Sequence, residues 1–520
     1  MSVSSTSEST HTQESTSVAH KKKVNEFQDG RKRPEYSWKQ SWADWFKQSW
    51  SSEYNDLKVE HRLLSQLSFY PKPTLATDKR RGEIINTDIG NGQYIHEFYI
   101  ENNELADTDT NTNNSNNNNN AVSILPNTCK EIVLIHGYAA SLGLFIDNFD
   151  SLSSIPGIKI HAIDLLGFGM SSRPKFPHLP SSTKQDIYKV EDWFIDSLEV
   201  WRKKRGIENF VLMGHSFGGY LSCAYAMKYN KPKSKNETTT TTQKSSSLID
   251  KLVLISPVGV ERNKFSLLDN QTTIPQISIE QEILADQEDI VHGSQSDSTT
   301  IATSTIEEEK GAEKGVQVGA GGRGGRTAAA AAAATTTTTA EAVEEEKSQT
   351  SRQKRLFNYL WQHNFSPFFL IRNAGPLKSK WISQWTTHRF AHTYYQNQES
   401  FQNMHDYIYR VFNGYGSGEY AITRVLAVGA LAKLPLLDRC PQKFVDMKLP
   451  TLWLYGDKDW MNEKAGEEIT DEINKLSMQQ YSKRLAEFAI VKNAGHHLYL
   501  DNPPDFAKIV FNFLGFVEKK

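Results

Sequence analysis

The sequence predicts an α/β chain: a mostly parallel sheet with helices on both faces, broken by long inserts. Three observations predict it. Short apolar runs rich in β-branched residues recur along the chain: "EIVLIHG", "KIHAIDLLGFG", "NFVLMGHSFGG", "LVLISPVG", "LPTLWLYGDKD" and "AEFAIVKNAGHH". Helical segments such as "VEDWFIDSLEVWRKKRG" (Val190 to Gly206) lie between several of them. Nearly continuous apolar strands alternating with helices imply a parallel sheet buried on both sides. The runs also end in Gly, Asp, Ser or His, and in such sheets the chemistry sits at the carboxyl ends of the strands.

The first of these elements to carry chemistry is "NFVLMGHSFGG". Gly214-His215-Ser216-Phe217-Gly218 follows a strand and opens the helical stretch "YLSCAYAMKY". A G-x-S-x-G pentapeptide in that setting is a nucleophile elbow, a turn that strains the serine and aims its hydroxyl at the site. A serine hydroxyl is a weak nucleophile without a base, so Ser216 needs a histidine and an acid. Both follow in chain order. "YGDKDW" closes the next core strand but one and offers Asp459, with Asp457 as a second choice able to cap the following helix. "NAGHH" closes the last core strand, and His496 is the expected base, with His497 turned away into packing or toward a lipid pocket. "HGYAA" supplies the rest of the machinery. The Tyr138 N–H is expected to pair with that of Phe217 as an oxyanion hole, while His136 bonds loop backbone. Asp164 precedes the serine and is expected to organise its loop.

Together these motifs resemble the α/β-hydrolase superfamily over roughly residues 132–260 and 448–517. "YLWQHNFSPFFLIRNAGPLKSK", "DYIYRVFNGYGSGEYAI" and "GHHLYLD" further resemble its lipid-acting subfamily. That subfamily includes fungal cardiolipin-specific phospholipase A, lysophosphatidic acid acyltransferase, animal lipase co-activators and N-acyl phospholipid lipases. The resemblance implies the α/β-hydrolase fold with a helical cap inserted between core strands. It also implies deacylation of glycerophospholipids, with cardiolipin favoured. Coenzyme A-dependent acyl transfer to lysophosphatidic acid is one alternative, and a non-catalytic lipid-surface scaffold is another. Some animal members carry their acid a few positions later, but Asn462 is not acidic, so Asp459 must serve. The subfamily's H-x-x-x-x-D motif falls on His496 and Asp501, and implies an acyltransferase role for Asp501. The competing reading is local. Asn502-Pro503-Pro504-Asp505 has the pattern of a helix start, and Asp501 just before it suits helix-end charge.

The cap spans residues 261–446 and keeps two apolar, aromatic stretches, "LFNYLWQHNFSPFFLI" and "WISQWTTHRFAHTYY", able to roof an acyl-chain site. Near the N-terminus, "YSWKQSWADWFKQSW" sets Trp38, Trp42, Trp45, Phe46 and Trp50 on one helical stripe behind "HKKK" and "RKR". A Trp-rich face with basic flanks predicts a peripheral helix on an anionic membrane, within a segment 36–70. The hydrolase core is then expected over 71–260 and 447–520. Residues 1–35 and inserts near 102–121, 231–247 and 286–353 lack apolar periodicity and are expected to be disordered.

Composition narrows the partners. A net charge of -2 gives no global case for nucleic acid. Three widely spaced cysteines, Cys129, Cys223 and Cys440, suit a reducing compartment and form no metal-ligand cluster; no metal or cofactor is expected. No apolar run reaches the ~18 residues of a membrane span, and no secretory signal is evident. The expected partners are a phospholipid substrate, a membrane surface and, for the transferase reading, acyl-CoA. The expected location is mitochondrial, peripheral on the inner membrane, with cytoplasm or lipid-droplet surface as alternatives.

Overall fold

The computed structural model describes residues 35–104, 122–124, 128–230, 247–268, 366 and 368–518. The segments expected to be disordered lie outside these ranges apart from a few flanking residues, as do the basic "HKKK" and "RKR" runs and most of the first cap stretch.

Eight strands form one sheet: β1 Arg80–Gly90, β2 Gln93–Asn102, β3 Glu131–Ile135, β4 Lys159–Ile163, β5 Phe210–His215, β6 Ile249–Ile255, β7 Thr451–Gly456 and β8 Ala486–Val491. Their spatial order is β1-β2-β4-β3-β5-β6-β7-β8. β2 runs antiparallel to both neighbours, and all pairings from β4 to β8 are parallel. The β1–β2 hairpin was not read from the sequence. Its turn holds Gly90, Asn91 and Gly92 at φ of 95°, 55° and 69°, and Asn-Gly is a strong hairpin signal.

Side chains along the inner strands alternate between two apolar layers, as the two-residue period requires. Val133, Leu212, Leu254 and Trp453 join Phe194, Trp201, Leu221 and Ile469 on one face. Ile132, Met213, Val253 and Leu452 join Phe149, Tyr407 and Val510 on the other. The principal helices are α1 Trp38–Trp50, α2 Asp56–Leu64, α3 Ile146–Leu152, α4 Lys184–Arg205, α5 Phe217–Tyr229, α6 Leu377–Gln396, α7 Gln398–Asn413, α8 Glu463–Tyr481 and α9 Pro503–Leu514. α4 begins six residues before the predicted start. Thr183 and Asp186 form a capping box there, a signal outweighed in the sequence by the aromatic run that follows. Gly206 ends it in the left-handed conformation at φ 70°.

α6 and α7 are the longest described helices of the cap, inserted between β6 and β7, and α1 and α2 pack on them. Among the described residues no helix is long and apolar enough to cross a membrane. The parallel arrangement brings the carboxyl ends of β3, β5, β6, β7 and β8 to one edge, where the predicted site residues fall.

Candidate active site

Ser216 links β5 to α5 with φ at 52° and ψ at -116°, a strained backbone that costs on the order of 1–3 kcal/mol for a non-glycine residue. The surrounding glycines follow from the tightness of the turn. A Cβ on Gly214 would lie 2.4 Å from Ser222 Oγ, and one on Gly218 would lie 2.3 Å from the His136 carbonyl oxygen. Two backbone bonds fix the elbow to the next strand: Ser216 N–H donates to Ile255 O (2.9 Å) and Val258 N–H donates to Ser216 O (3.3 Å). Phe217 is the first residue of α5, where backbone N–H groups have no acceptor within the helix.

The loop after β3 lies against this elbow. A Cβ on Gly137 would be 3.0 Å from Ser216 Cβ. Tyr138 follows directly, so the backbone segment expected to carry the second oxyanion donor adjoins the nucleophile. His136 binds backbone through both ring nitrogens. Nδ1–H donates to Gly137 O (2.7 Å), and Nε2 accepts from Leu165 N–H (3.1 Å). Burial pushes its pKa down to about 4, so it stays neutral. Asp164 accepts the N–H groups of Leu142 (2.8 Å) and Met170 (2.7 Å), and burial raises its carboxyl to about 6. Both residues hold loops.

At the far end of the sheet edge, His496 Nδ1 lies 3.2 Å from Asp459 Oδ1 and 2.8 Å from Ser256 Oγ. The Ser256 hydroxyl also donates to Asp459 Oδ2. This puts the proton on Nδ1 and the lone pair on Nε2, the tautomer a base requires. Burial alone would push the Asp459 carboxyl up. The His496 imidazole, the Ser256 hydroxyl and the Met461 N–H overcome it and hold the carboxyl below its ordinary value. Ser256 was missed in the sequence. It directly follows β6, the strand between β5 and β7, which sets it beside the strand ends that carry the serine and the acid.

His215 joins the two halves. Its Nε2–H donates to the His496 carbonyl (3.0 Å), and its ring lies 4.8 Å from that of His496 and 4.9 Å from that of His497. His497 is buried in packing, and burial drives its pKa and that of His215 well below the ordinary value. Of these three histidines, only His496 has a carboxylate partner.

The two other aspartates differ from the sequence reading. Asp457 does not cap the next helix; Asn462 does, and Asp457 Oδ1 instead accepts from Ala494 N–H (2.9 Å). Asn502 caps α9 with Pro503 at its first position, as expected. Asp501, however, turns back, and its Oδ2 accepts from Gly495 N–H (2.8 Å). It latches the loop that carries His496 rather than supplying helix-end charge. Asp501→Asn retains an acceptor there, so it is expected to cost at most about 1 kcal/mol of stability and to leave deacylation intact. Melting temperature, deacylation and acyl transfer on one preparation check this. Loss of transfer alone, at unchanged melting temperature, would make Asp501 part of a transferase centre.

The structure therefore brings Ser216, Phe217, Tyr138, Asp459 and His496 to one strand-end edge. Trp38, Trp42, Trp45, Phe46 and Trp50 lie elsewhere, on α1 against the cap.

A family model described as the alpha/beta hydrolase fold matches residues 130–276, spanning the elbow and both strands beside it. These residues carry the α/β-hydrolase fold. A probable 1-acylglycerol-3-phosphate O-acyltransferase of Oryza sativa subsp. japonica is 28% identical over 385 residues, covering 73% of this chain and 66% of that protein. A 1-acylglycerol-3-phosphate O-acyltransferase of Saccharomyces cerevisiae is 24% identical over 414 residues, covering 74% and 82%. A human (Lyso)-N-acylphosphatidylethanolamine lipase is 44% identical over a shorter stretch of 108 residues, 21% of this chain and 29% of that protein. The chain spans just under two thirds of the length of the plant relatives it matches, 66% and 65%.

Proposed function

We propose that this α/β-hydrolase is a serine-dependent acyl-ester enzyme that deacylates glycerophospholipids. The observation that carries the reading is the Asp459–Ser256–His496 hydrogen-bonded set beside the Ser216 elbow. Ser216 Oγ attacks an ester carbonyl and passes its proton to His496 Nε2. The Tyr138 and Phe217 N–H groups stabilise the oxyanion, and Asp459 balances the imidazolium charge. The leaving lysolipid alkoxide takes the proton from His496, and water then releases the fatty acid from Ser216. Cardiolipin is the favoured substrate through the resemblance noted above.

The plant and yeast relatives favour a second reading with the same first half. There the acyl group comes from acyl-CoA, and a lysophosphatidic acid hydroxyl takes it from Ser216 in place of water. Purified protein incubated with labelled cardiolipin, or with lysophosphatidic acid and acyl-CoA, separates the two by product. Absence of both products, with Ser216 unreactive to a fluorophosphonate, would leave only the scaffold reading.

We further propose that α1 rests on a membrane. Its polar residues Ser41, Asp44 and Gln48 are buried, while Trp38, Trp42, Phe46 and Trp50 are each more than half exposed and Trp45 is half-buried. Ser41 Oγ–H donates to Pro376 O (2.5 Å), Gln48 Nε2–H to Asp406 (2.9 Å), and His405 Nε2 lies 3.4 Å from Asp44. A helix that docks by its polar face and presents its aromatic face outward is inverted for a water-exposed surface and suits an interface. Trp42→Ala with Phe46→Ala is expected to weaken binding to anionic phospholipid vesicles at least tenfold, as lost burial of two large side chains implies. Vesicle co-sedimentation tests this, and unchanged binding would remove α1 from the interface.

A further inference from the structure

The N-terminal segment also reaches into the catalytic scaffold. α2 follows α1 after a short turn, and Val59, Leu63 and Leu64 pack its inner side into the core. Among them sits Glu60, fully buried. Its Oε2 accepts from His96 Nε2–H at 2.7 Å, while Oε1 is buried with no hydrogen-bond partner. A carboxylate in this position costs stability that an apolar residue would not, so packing alone does not account for it.

His96 lies on β2 and faces oxygen on both sides, with Nδ1 2.7 Å from Asn86 Oδ1. Burial disfavours its charged form, but Glu60, Asp164 and Glu97 outweigh it and raise its pKa. The ligand atoms of Glu60, His96 and Asp164 all lie within 4.8 Å of one another. The backbone connects the same groups. Asp164 N–H donates to His96 O (2.9 Å), His96 N–H donates to Ser171 Oγ (2.8 Å), and Ser171 Oγ–H donates to Asp164 O (2.6 Å). Asp164 in turn accepts Leu142 N–H, four residues beyond Tyr138, and Met170 N–H. His136, 3.8 Å from Asp164, and Tyr407, which accepts Gly143 N–H at 3.2 Å, close the surround.

The geometry points to Glu60 as a positioning residue for the reaction: through His96 it fixes the Asp164 brace, and so the loop that carries the Tyr138 N–H beside Ser216. The segment that bears the aromatic membrane face is then part of the catalytic scaffold and not a detachable anchor. This rests on the serine-ester reading for its catalytic consequence, though not for its structural one.

The test uses the full-length protein with Glu60→Leu, which removes the acceptor, and Glu60→Asp, which keeps the charge but shortens its reach. Glu60→Leu is expected to lower kcat about tenfold or more at nearly constant KM, and to slow fluorophosphonate labelling of Ser216 by a similar factor. Glu60→Asp is expected to lose a few-fold, which keeps the test open should the leucine variant not fold. Hydrogen exchange is expected to quicken in segments 138–145 and 164–171 and to stay unchanged in α8. Wild-type exchange in both loops of a folded variant overturns the inference whatever the activity. An unreactive Ser216 in the wild type, with quickened loops in the variants, defeats the serine reading and leaves the brace standing.

Discussion

Ser216→Ala is expected to lower kcat for acyl release by about four orders of magnitude or more while the protein stays folded. The argument for a large loss is that, in the proposed reaction, Ser216 supplies the bond-forming atom and no neighbour can replace it. Ser256 is the nearest rival by chemistry, but its hydroxyl is held between Asp459 and His496. The argument for retained folding is equally local. Alanine keeps the Cβ and the strained φ of 52°, and the backbone bonds to Ile255 and Val258 do not involve the removed oxygen. The melting temperature should therefore stay within a degree or two, since about 1 kcal/mol moves a domain of this size by only ~2–4 °C. Turnover of a fluorogenic phospholipid, fluorophosphonate labelling and calorimetry on one preparation check all three points. Substantial turnover in pure Ser216→Ala protein would end the serine mechanism.

The sequence made the sheet legible, and with it the strand ends that carry the candidate site residues, because parallel strands buried on both faces are apolar almost throughout. Such strands stand out even between low-complexity inserts, and the chemistry-bearing residues stand out at their ends. What escaped depended on spatial order or on distant partners. Ser256 gains a role only once β6 is known to lie between β5 and β7. Glu60 looks like one more charge on an amphipathic helix until β2 and the Asp164 loop are packed against it. The aromatic stripe of α1 was visible, but the docking of its polar face was not, because the partners of Ser41, Asp44 and Gln48 lie more than 300 residues away in the cap. Asp501 shows the same limit in miniature. Its position before a helix start was read correctly, yet its carboxylate turns back to a loop amide six residues earlier.

These placements tie the N-terminal segment to both cap and core. α1 is tied to the cap through Gln48 and Asp406, and α2 is tied to the cap through Arg62 and Asp406 (3.4 Å) and to the core through Glu60 and His96. On the proposals above, a membrane that held the aromatic face of α1 would pull on the cap and on the Asp164 loop together. Cap and core also meet where Gly418 N–H donates to the Gly167 carbonyl (3.3 Å).

His496→Ala is expected to cost as much activity as Ser216→Ala, and His497→Ala far less. The two histidines are neighbours in sequence and both buried, so burial does not separate them. Their partners do. His496 Nδ1 faces Asp459 and Ser256, and its ring lies 4.9 Å from that of Trp460, tilted by 45°. His497 packs among His215 and Tyr499, with ring centroids 4.9 and 5.9 Å away, and its Nδ1 has no hydrogen-bond partner. Removing it should open a cavity and cost stability on the order of 1–3 kcal/mol, within the range for buried large-to-small changes. Folded His497→Ala enzyme should retain most of its turnover. Because a nucleophile and its base act as a unit, the double variant Ser216→Ala/His496→Ala should be no slower than either single one. Steady-state kinetics on the three variants, each paired with a melting temperature, decide the matter. Additive losses in the double variant would mean that His496 does not serve Ser216, and a dead but folded His497→Ala would move the base one residue along the chain.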